Sequence, residues 1–271
     1  MKEKTPTFKS LLEQLARNHD PAKVFTGFTT LAACAVAYRT RETEYLEEAK
    51  RWKREELDIF SHALAALVLE MEEHPFTDLL GGIYMDFALS RKSQQWHAEF
   101  HTPQPVCEMM AKMLVGDPTP PEEGPITFCE PACGAGAMIL AYAHQLSPEA
   151  RCRLRVTAID ISKTACDMCY INTTLCGVPT EIIHGNSLSN EFFASWKNIH
   201  WIFQGRLHLF AGLDAAPNQT DASQAGSKNK PPMTLATKLI AAAAPQQGQP
   251  PTPEKIEQIK ANLGQQMFDF A

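Results

Sequence analysis

Thr127-Phe128-Cys129-Glu130-Pro131-Ala132-Cys133-Gly134-Ala135-Gly136-Ala137 is the stretch whose reading decides the fold. A short apolar run ends in a carboxylate, two closely spaced glycines follow, and then comes a segment of helical spacing. Glycines permit a tight turn and a close approach of backbone to ligand, and the amides at a helix N-terminus favour a negatively polarised group. A lone Gly-x-Gly is common, whereas the whole string is not. The next apolar run ends at Asp160, near the spacing at which a carboxylate meets a ribose hydroxyl in nucleotide-binding folds. No Lys-Ser/Thr pair follows the glycines, which argues against a nucleoside triphosphate site.

Working outward, short apolar runs at 126–129, 154–159, 182–183 and 199–203 alternate with helix-like segments at 105–114, 137–145 and 163–175. That alternation predicts βαβ units and a parallel sheet. Upstream, residues 1 to about 95 read as helical. Phe8, Leu11, Leu12 and Leu15 share one helical face, with Thr7 or Ser10 as a cap. Leu46, Ala49, Trp52, Leu57, Phe60, Leu64 and Leu67 recur at helical spacing, and Pro75 separates them from a further helix over 76–89. Residues 211–253 are rich in Ala, Gln, Pro, Ser and Gly and predict a mostly disordered tail, with a last short helix over 254–267. The expected fold class is α/β, a partial Rossmann-like sheet after an all-helical N-terminal domain. The expected division is 1–97, 98–210 and 211–271.

The chain of 271 residues has a net charge of −6, so bulk positive charge cannot be what grips a nucleic acid. The charge is uneven: residues 61–200 carry 8 basic and 16 acidic side chains, so any DNA contact must come from local patches. No apolar run is long enough to span a membrane. Eight cysteines without an apolar signal core fit a reducing compartment, and the expected location is the cytoplasm.

The glycine string resembles the Asp-Pro-Ala-Cys-Gly-Ser-Gly motif of S-adenosylmethionine-dependent N6-adenine DNA methyltransferases, notably the modification subunits of type I restriction systems. Phe100-His101-Thr102-Pro103-Gln104-Pro105-Val106 resembles that family's Phe/Tyr-x-Thr-Pro-x-x-Val segment. Residues 78–84 resemble the helix preceding it, Ala158-Ile159-Asp160-Ile161 the acidic second strand, and His184-Gly185-Asn186-Ser187-Leu188 the Gly-Asp-Ser-Leu element beside the cofactor's adenine, with Asn186 in place of Asp. The match covers about 76–190 in the family's order. The resemblance implies S-adenosylmethionine as cofactor and DNA as substrate, in a restriction-modification setting. Phe100, Thr102, Pro103, Glu130, Pro131, Ala132, Gly134, Gly136, Asp160, Ile161, Asn186, Ser187 and Leu188 become the implied cofactor-binding residues. Phe100 and Ile161 would sandwich the cofactor, and Asp160 would accept two hydroxyl hydrogen bonds.

The family's Asn/Asp-Pro-Pro-Tyr/Phe motif, which positions the target adenine, has no counterpart after the fourth strand expected at 199–203, and Asn229-Lys230-Pro231-Pro232-Met233 reads as linker. No catalytic residue is therefore assigned. A half-sized sheet would leave an edge to be covered by the N-terminal helices, the tail, a partner chain or a dimer. Two functions follow: a DNA adenine-N6 methyltransferase, or a non-catalytic S-adenosylmethionine-binding accessory protein in DNA modification, anti-restriction or replication.

Weaker signals remain. Trp196, Asn198, His200 and Trp201 lie where a base pocket would be; alternating strand positions with His200 facing solvent are the plainer reading. Cys166 and Cys169 form a C-x-x-C without a second ligand pair and read as core, so no metal is expected. Arg151, Arg153 and Arg155 alternate where they could touch phosphate, but a solvated strand face is the plainer reading. Gln265, Phe268 and Phe270 resemble the Gln-x-x-Leu-x-Phe peptide that docks on the bacterial sliding clamp.

Overall fold

The computed structural model describes residues 6–37, 40–88, 102–115 and 124–203. Five α-helices come first: α1 (Phe8–Ala16), α2 (Pro21–Val36), α3 (Glu42–Ala49), α4 (Arg54–Glu73) and α5 (Leu79–Ile83), the last running into a π-helical turn at Tyr84–Ala88. Their starts follow from capping chemistry. Thr7, Asp20 and Asp78 each accept a backbone N–H from the first turn, satisfying amides that a helix leaves unpaired. Phe8, Leu11, Leu12 and Leu15 are all buried, as the spacing of α1 predicts.

The second half alternates. Helix α6 (Gln104–Val115) precedes β1 (Ile126–Glu130), α7 (Ala137–Gln145), α8 (Pro148–Arg153), β2 (Leu154–Asp160), α9 (Lys163–Leu175), β3 (Thr180–Asn186), β4 (Glu191–Lys197) and the short α10 (Ile199–Ile202). The sheet order is β1-β2-β3-β4; β1, β2 and β3 run parallel, and β4 is antiparallel to β3. The α/β reading holds: β1, β2 and β3 are linked by helices, as parallel neighbours require. Among the described residues no strand pairs with the outer edge of β1.

Three expectations are corrected. The fourth strand is not at 199–203 but at Glu191–Lys197. Asn198 ends it, accepting the Trp201 N–H as the cap of α10 while also bonding Thr180 N and Val178 O. His200 does not face solvent. Its Nε2 lies 2.9 Å from Thr174 O, and burial lowers its pKa. Arg151 and Arg153 belong to α8 rather than to a strand face, because Ser147 and Pro148 start a helical turn there. The tail, its clamp-like peptide and Phe100 lie outside the described residues.

Helix α9 organises the packing. Residues Ala165–Thr174 are buried without interruption, and the helix touches β2, β3 and α2. A helix buried all round must satisfy its polar side chains internally. Asp167 is 1% exposed and Arg41 2%, and their side chains meet at 2.8 Å. Lys163 Nζ lies 2.7 Å from the other Asp167 oxygen, and Glu44 accepts from both Arg41 and Lys163. Arg41 also stacks over Trp196 of β4, 4.6 Å from the ring centroid. The apolar core is continuous from Phe8 in α1 to Ile182 in β3, so the N-terminal helices and the sheet bury one another.

Removing one member of a buried ion pair strands the other. Asp167→Ala is expected to lower unfolding stability in urea by about 3–5 kcal/mol. Burial opposes ionisation of Glu44, yet hydrogen bonds from Arg41 and Lys163 win and hold its carboxyl at about 2. A depressed carboxyl stabilises the fold above its unfolded pKa, here 4.5, and that contribution disappears as pH falls towards 2. Stability should therefore drop across that window in wild type and drop less in Glu44→Gln, as followed by circular dichroism.

Candidate functional site

The site grows from the ends of two adjacent parallel strands. Glu130 closes β1, and β2 runs on to Asp160, with Glu130 in register with Ala158. The chain leaving β1 must turn at once into α7. Gly134 and Gly136 take positive φ values of 52° and 88°, a region that side-chain-bearing residues rarely occupy. Gly136 N donates to Cys133 O at 2.8 Å, closing the turn, and Gly136 stands as the N-cap of α7 without a side-chain cap. The first-turn amides of α7 thus lack intrahelical partners at this end of the sheet.

Asp160 holds the turn in place. Its Oδ2 accepts from Gly134 N at 2.8 Å and its Oδ1 accepts from Ser162 N at 2.8 Å. Cys133 N donates to Ile159 O at 2.9 Å, adding a second tie between the turn and β2. Each carboxylate oxygen retains a further lone pair, so Asp160 can still accept two hydrogen bonds from a ligand. Glu130 is half-buried. Desolvation raises its pKa, the Ala132 amide pulls it back, and the nearby charge of Asp160 raises it further.

Asn172 of α9 is a positioning residue to which the sequence reading gave no role. Its Nδ2 donates to Ala135 O in the turn and to Asp78 Oδ1, each at 2.9 Å. Asp78 in turn caps α5 through Gly81 N at 2.8 Å. Nothing in its local pattern set it apart from the other polar residues of that helix, Asp167, Thr173 and Thr174. At and beneath the turn lie Cys133, Cys166 and Cys169, all buried; the hydrogen bond with Cys169 and burial push the Cys133 thiol up, and burial pushes up that of Cys166.

On the next strand, Asn186 ends β3, and its Oδ1 accepts from Leu188 N at 3.0 Å and Ser189 N at 3.3 Å. The side chain is thereby committed as acceptor to its own turn, leaving its amide N–H groups to donate outward. Leu188 and Ile161 are 95% and 63% exposed, two apolar side chains beside the strand ends. Pro131 and Ala132 are exposed on the turn, and Thr102 and Pro103 are exposed ahead of α6. Helix α6 packs on α7 through Cys107, Ala111, Ala137 and Ala141, small residues that let the two approach closely.

An α/β protein built on parallel βαβ units is the class this fold defines. Residues 75–205 match the family model described as N-6 DNA Methylase, a match that supports assigning this segment to that family. The family carries DNA adenine methyltransferase-like function and is in general dependent on S-adenosylmethionine. No curated protein and no solved structure matches the chain. No helix among the described residues is long and apolar enough to cross a membrane.

Gly136→Ala tests the turn. The added Cβ meets Cys169 Sγ at 3.1 Å with φ at 88°. The substitution is expected to cost about 1–3 kcal/mol in chemical denaturation.

Proposed function

We propose that the chain binds S-adenosylmethionine at the glycine turn and acts as a DNA adenine-N6 methyltransferase. The observation that carries this reading is the pairing of Glu130 and Asp160 at adjoining strand ends, with the turn suspended from Asp160. The residues fit the cofactor chemically. Asp160 keeps two acceptor positions for vicinal hydroxyls, and Glu130 offers a partly desolvated carboxylate to an ammonium group. Gly134 and Gly136 give the turn its left-handed backbone, with Pro131 and Ala132 exposed beside it. Ile161 and Leu188 supply apolar cover for a base, and Asn186 supplies a donor. Ser187, Thr102 and Pro103 line the approaches. Bound there, the cofactor supplies a methyl group activated as a sulfonium; the protein's part is to orient it, since positioning accounts for most of such catalysis.

A second reading has its own support. After β3 the chain turns back into the antiparallel β4, and the sequence has no Asn/Asp-Pro-Pro-aromatic string to seat a flipped adenine. That favours a cofactor-binding protein in DNA modification whose base site comes from a partner.

Calorimetry with S-adenosylhomocysteine should give binding in wild type and at least about tenfold weaker binding in Asp160→Ala, each lost hydrogen bond to a charged group being worth about 1.5–3 kcal/mol. No binding by the wild type would remove the reading. Incubation with methyl-labelled cofactor and mixed-sequence duplex DNA separates the two functions: label in N6-methyladenine supports the enzyme, and binding without label supports the accessory protein. Because the Glu130 pKa is raised, its contribution should fade at a higher pH on acidification than an ordinary carboxylate's would. Affinity for the ammonium-bearing ligand should decline over that range, and Glu130→Gln should flatten the profile.

A further inference from the structure

The opposite end of the sheet carries a second cleft, of about 720 Å³, where the parallel strands begin. Its lining brings together Arg153 from the end of α8, Arg155 from β2, Lys197 from the end of β4, and Trp201 and Ile202 from α10, with Gly124 ahead of β1. Among the described residues three cations line it and no carboxylate does, in a chain whose net charge is −6. Glu181 lies 4.0 Å from Lys197 and already accepts from Ser195 at 2.8 Å.

Arg155 is held in place by neutral groups. Arg155 Nη1 donates to Leu154 O at 2.6 Å and to Cys152 O at 3.3 Å. Its Nε–Nη2 edge has no hydrogen bond among the described residues, so the two-pronged edge suited to a phosphate is available. Trp201 gathers the charges: Arg155 lies 6.0 Å and Lys197 5.6 Å from its ring centroid. Arg153 Nη1 reaches Gly124 O at 3.3 Å across the mouth of the cleft. Desolvation lowers the Arg155 pKa, offset in part by the neighbouring Cys152.

We propose that this cleft binds phosphodiester groups of a nucleic-acid strand, at a site separate from the glycine turn. The cleft follows from the residues themselves; the choice of nucleic acid rests on the reading of the chain as a DNA-modifying protein. Arg155 and Asp160 are five residues apart along β2, or about 17 Å at ~3.3 Å per residue. A duplex lying along the sheet covers that span in about five steps at ~3.4 Å each. The acidic chain therefore meets DNA through a local cationic seat.

The test is fluorescence anisotropy of the full-length protein with a labelled duplex and with its single strand, over a salt series. Lys197→Gln should weaken binding about three- to tenfold and lower the slope of log K against log salt by about one. Arg155→Gln should act likewise and the pair should lower the slope by about two, while Lys9→Gln, a cation elsewhere, should change neither quantity. Arg155 anchors local carbonyls, so Lys197→Gln, which is half-exposed and breaks no close hydrogen bond, keeps the test valid if Arg155→Gln misfolds. Unchanged affinity and slope in Lys197→Gln would overturn the proposal. So would a wild type that binds pyrophosphate but neither oligonucleotide, the mark of a free-anion site. Calorimetry with S-adenosylhomocysteine should be the same for Lys197→Gln and wild type. A loss of nucleic-acid binding there, with cofactor binding intact, separates this site from the glycine turn.

Discussion

A helix with no face in water sets the terms for this structure. From Ala165 to Thr174 every residue of α9 is buried, yet the helix carries Asp167, Asn172, Thr173 and Thr174. Each such group must find an internal partner or cost several kcal/mol, about 1–3 for a neutral one and more for a charge. Asp167 finds Arg41 and Lys163, and Asn172 Nδ2 finds Ala135 and Asp78, while Asn172 Oδ1 and Thr174 Oγ1 are buried without a hydrogen-bond partner among the described residues. The first set joins the N-terminal helices to the sheet layer, and the second joins them to the glycine turn. One helix therefore fixes both the packing of the fold and the position of the loop that bears the site.

The turn itself is held with few interactions. Asp160 accepts from Gly134 and Ser162, so the carboxylate that closes β2 also fixes the chain leaving β1. Using both oxygens on the protein still leaves lone pairs pointing elsewhere. Asn186 repeats the device on β3, where its side-chain oxygen closes its own turn and its amide remains to donate. At three neighbouring strand ends, then, a polar side chain either shapes a turn or stands beside one, and each retains hydrogen-bonding capacity.

Much of this was legible where the signal is local. Apolar runs bounded by turn residues marked β1, β2 and β3, and α7 and α9 match their predicted spans because periodicity and caps agree there. The fourth strand was misplaced for an equally physical reason. Glu191–Lys197 has adjacent phenylalanines on an exposed edge rather than a buried apolar run, while the more apolar 199–203 is capped into a helix by Asn198. Long-range partners left no trace in local pattern: Arg41 and Asp167 lie 126 residues apart, and neither position is unusual by itself. The cofactor-type turn was readable because glycine, acid and helix start fall within a dozen residues. The cleft at the other end was legible only as a run of arginines, because Lys197 and Trp201 join Arg153 and Arg155 only through the sheet register.

The unbroken core between the leading helices and the sheet has a consequence for how this molecule can be dissected. A fragment starting after α5 would keep every strand but expose the α9 surface that α2 covers, and it would leave Asp167 facing its former partner's empty place. The helices are thus the wall against which the strand layer is cast, and a length of chain that looks like a detachable preface is part of the same cooperative body.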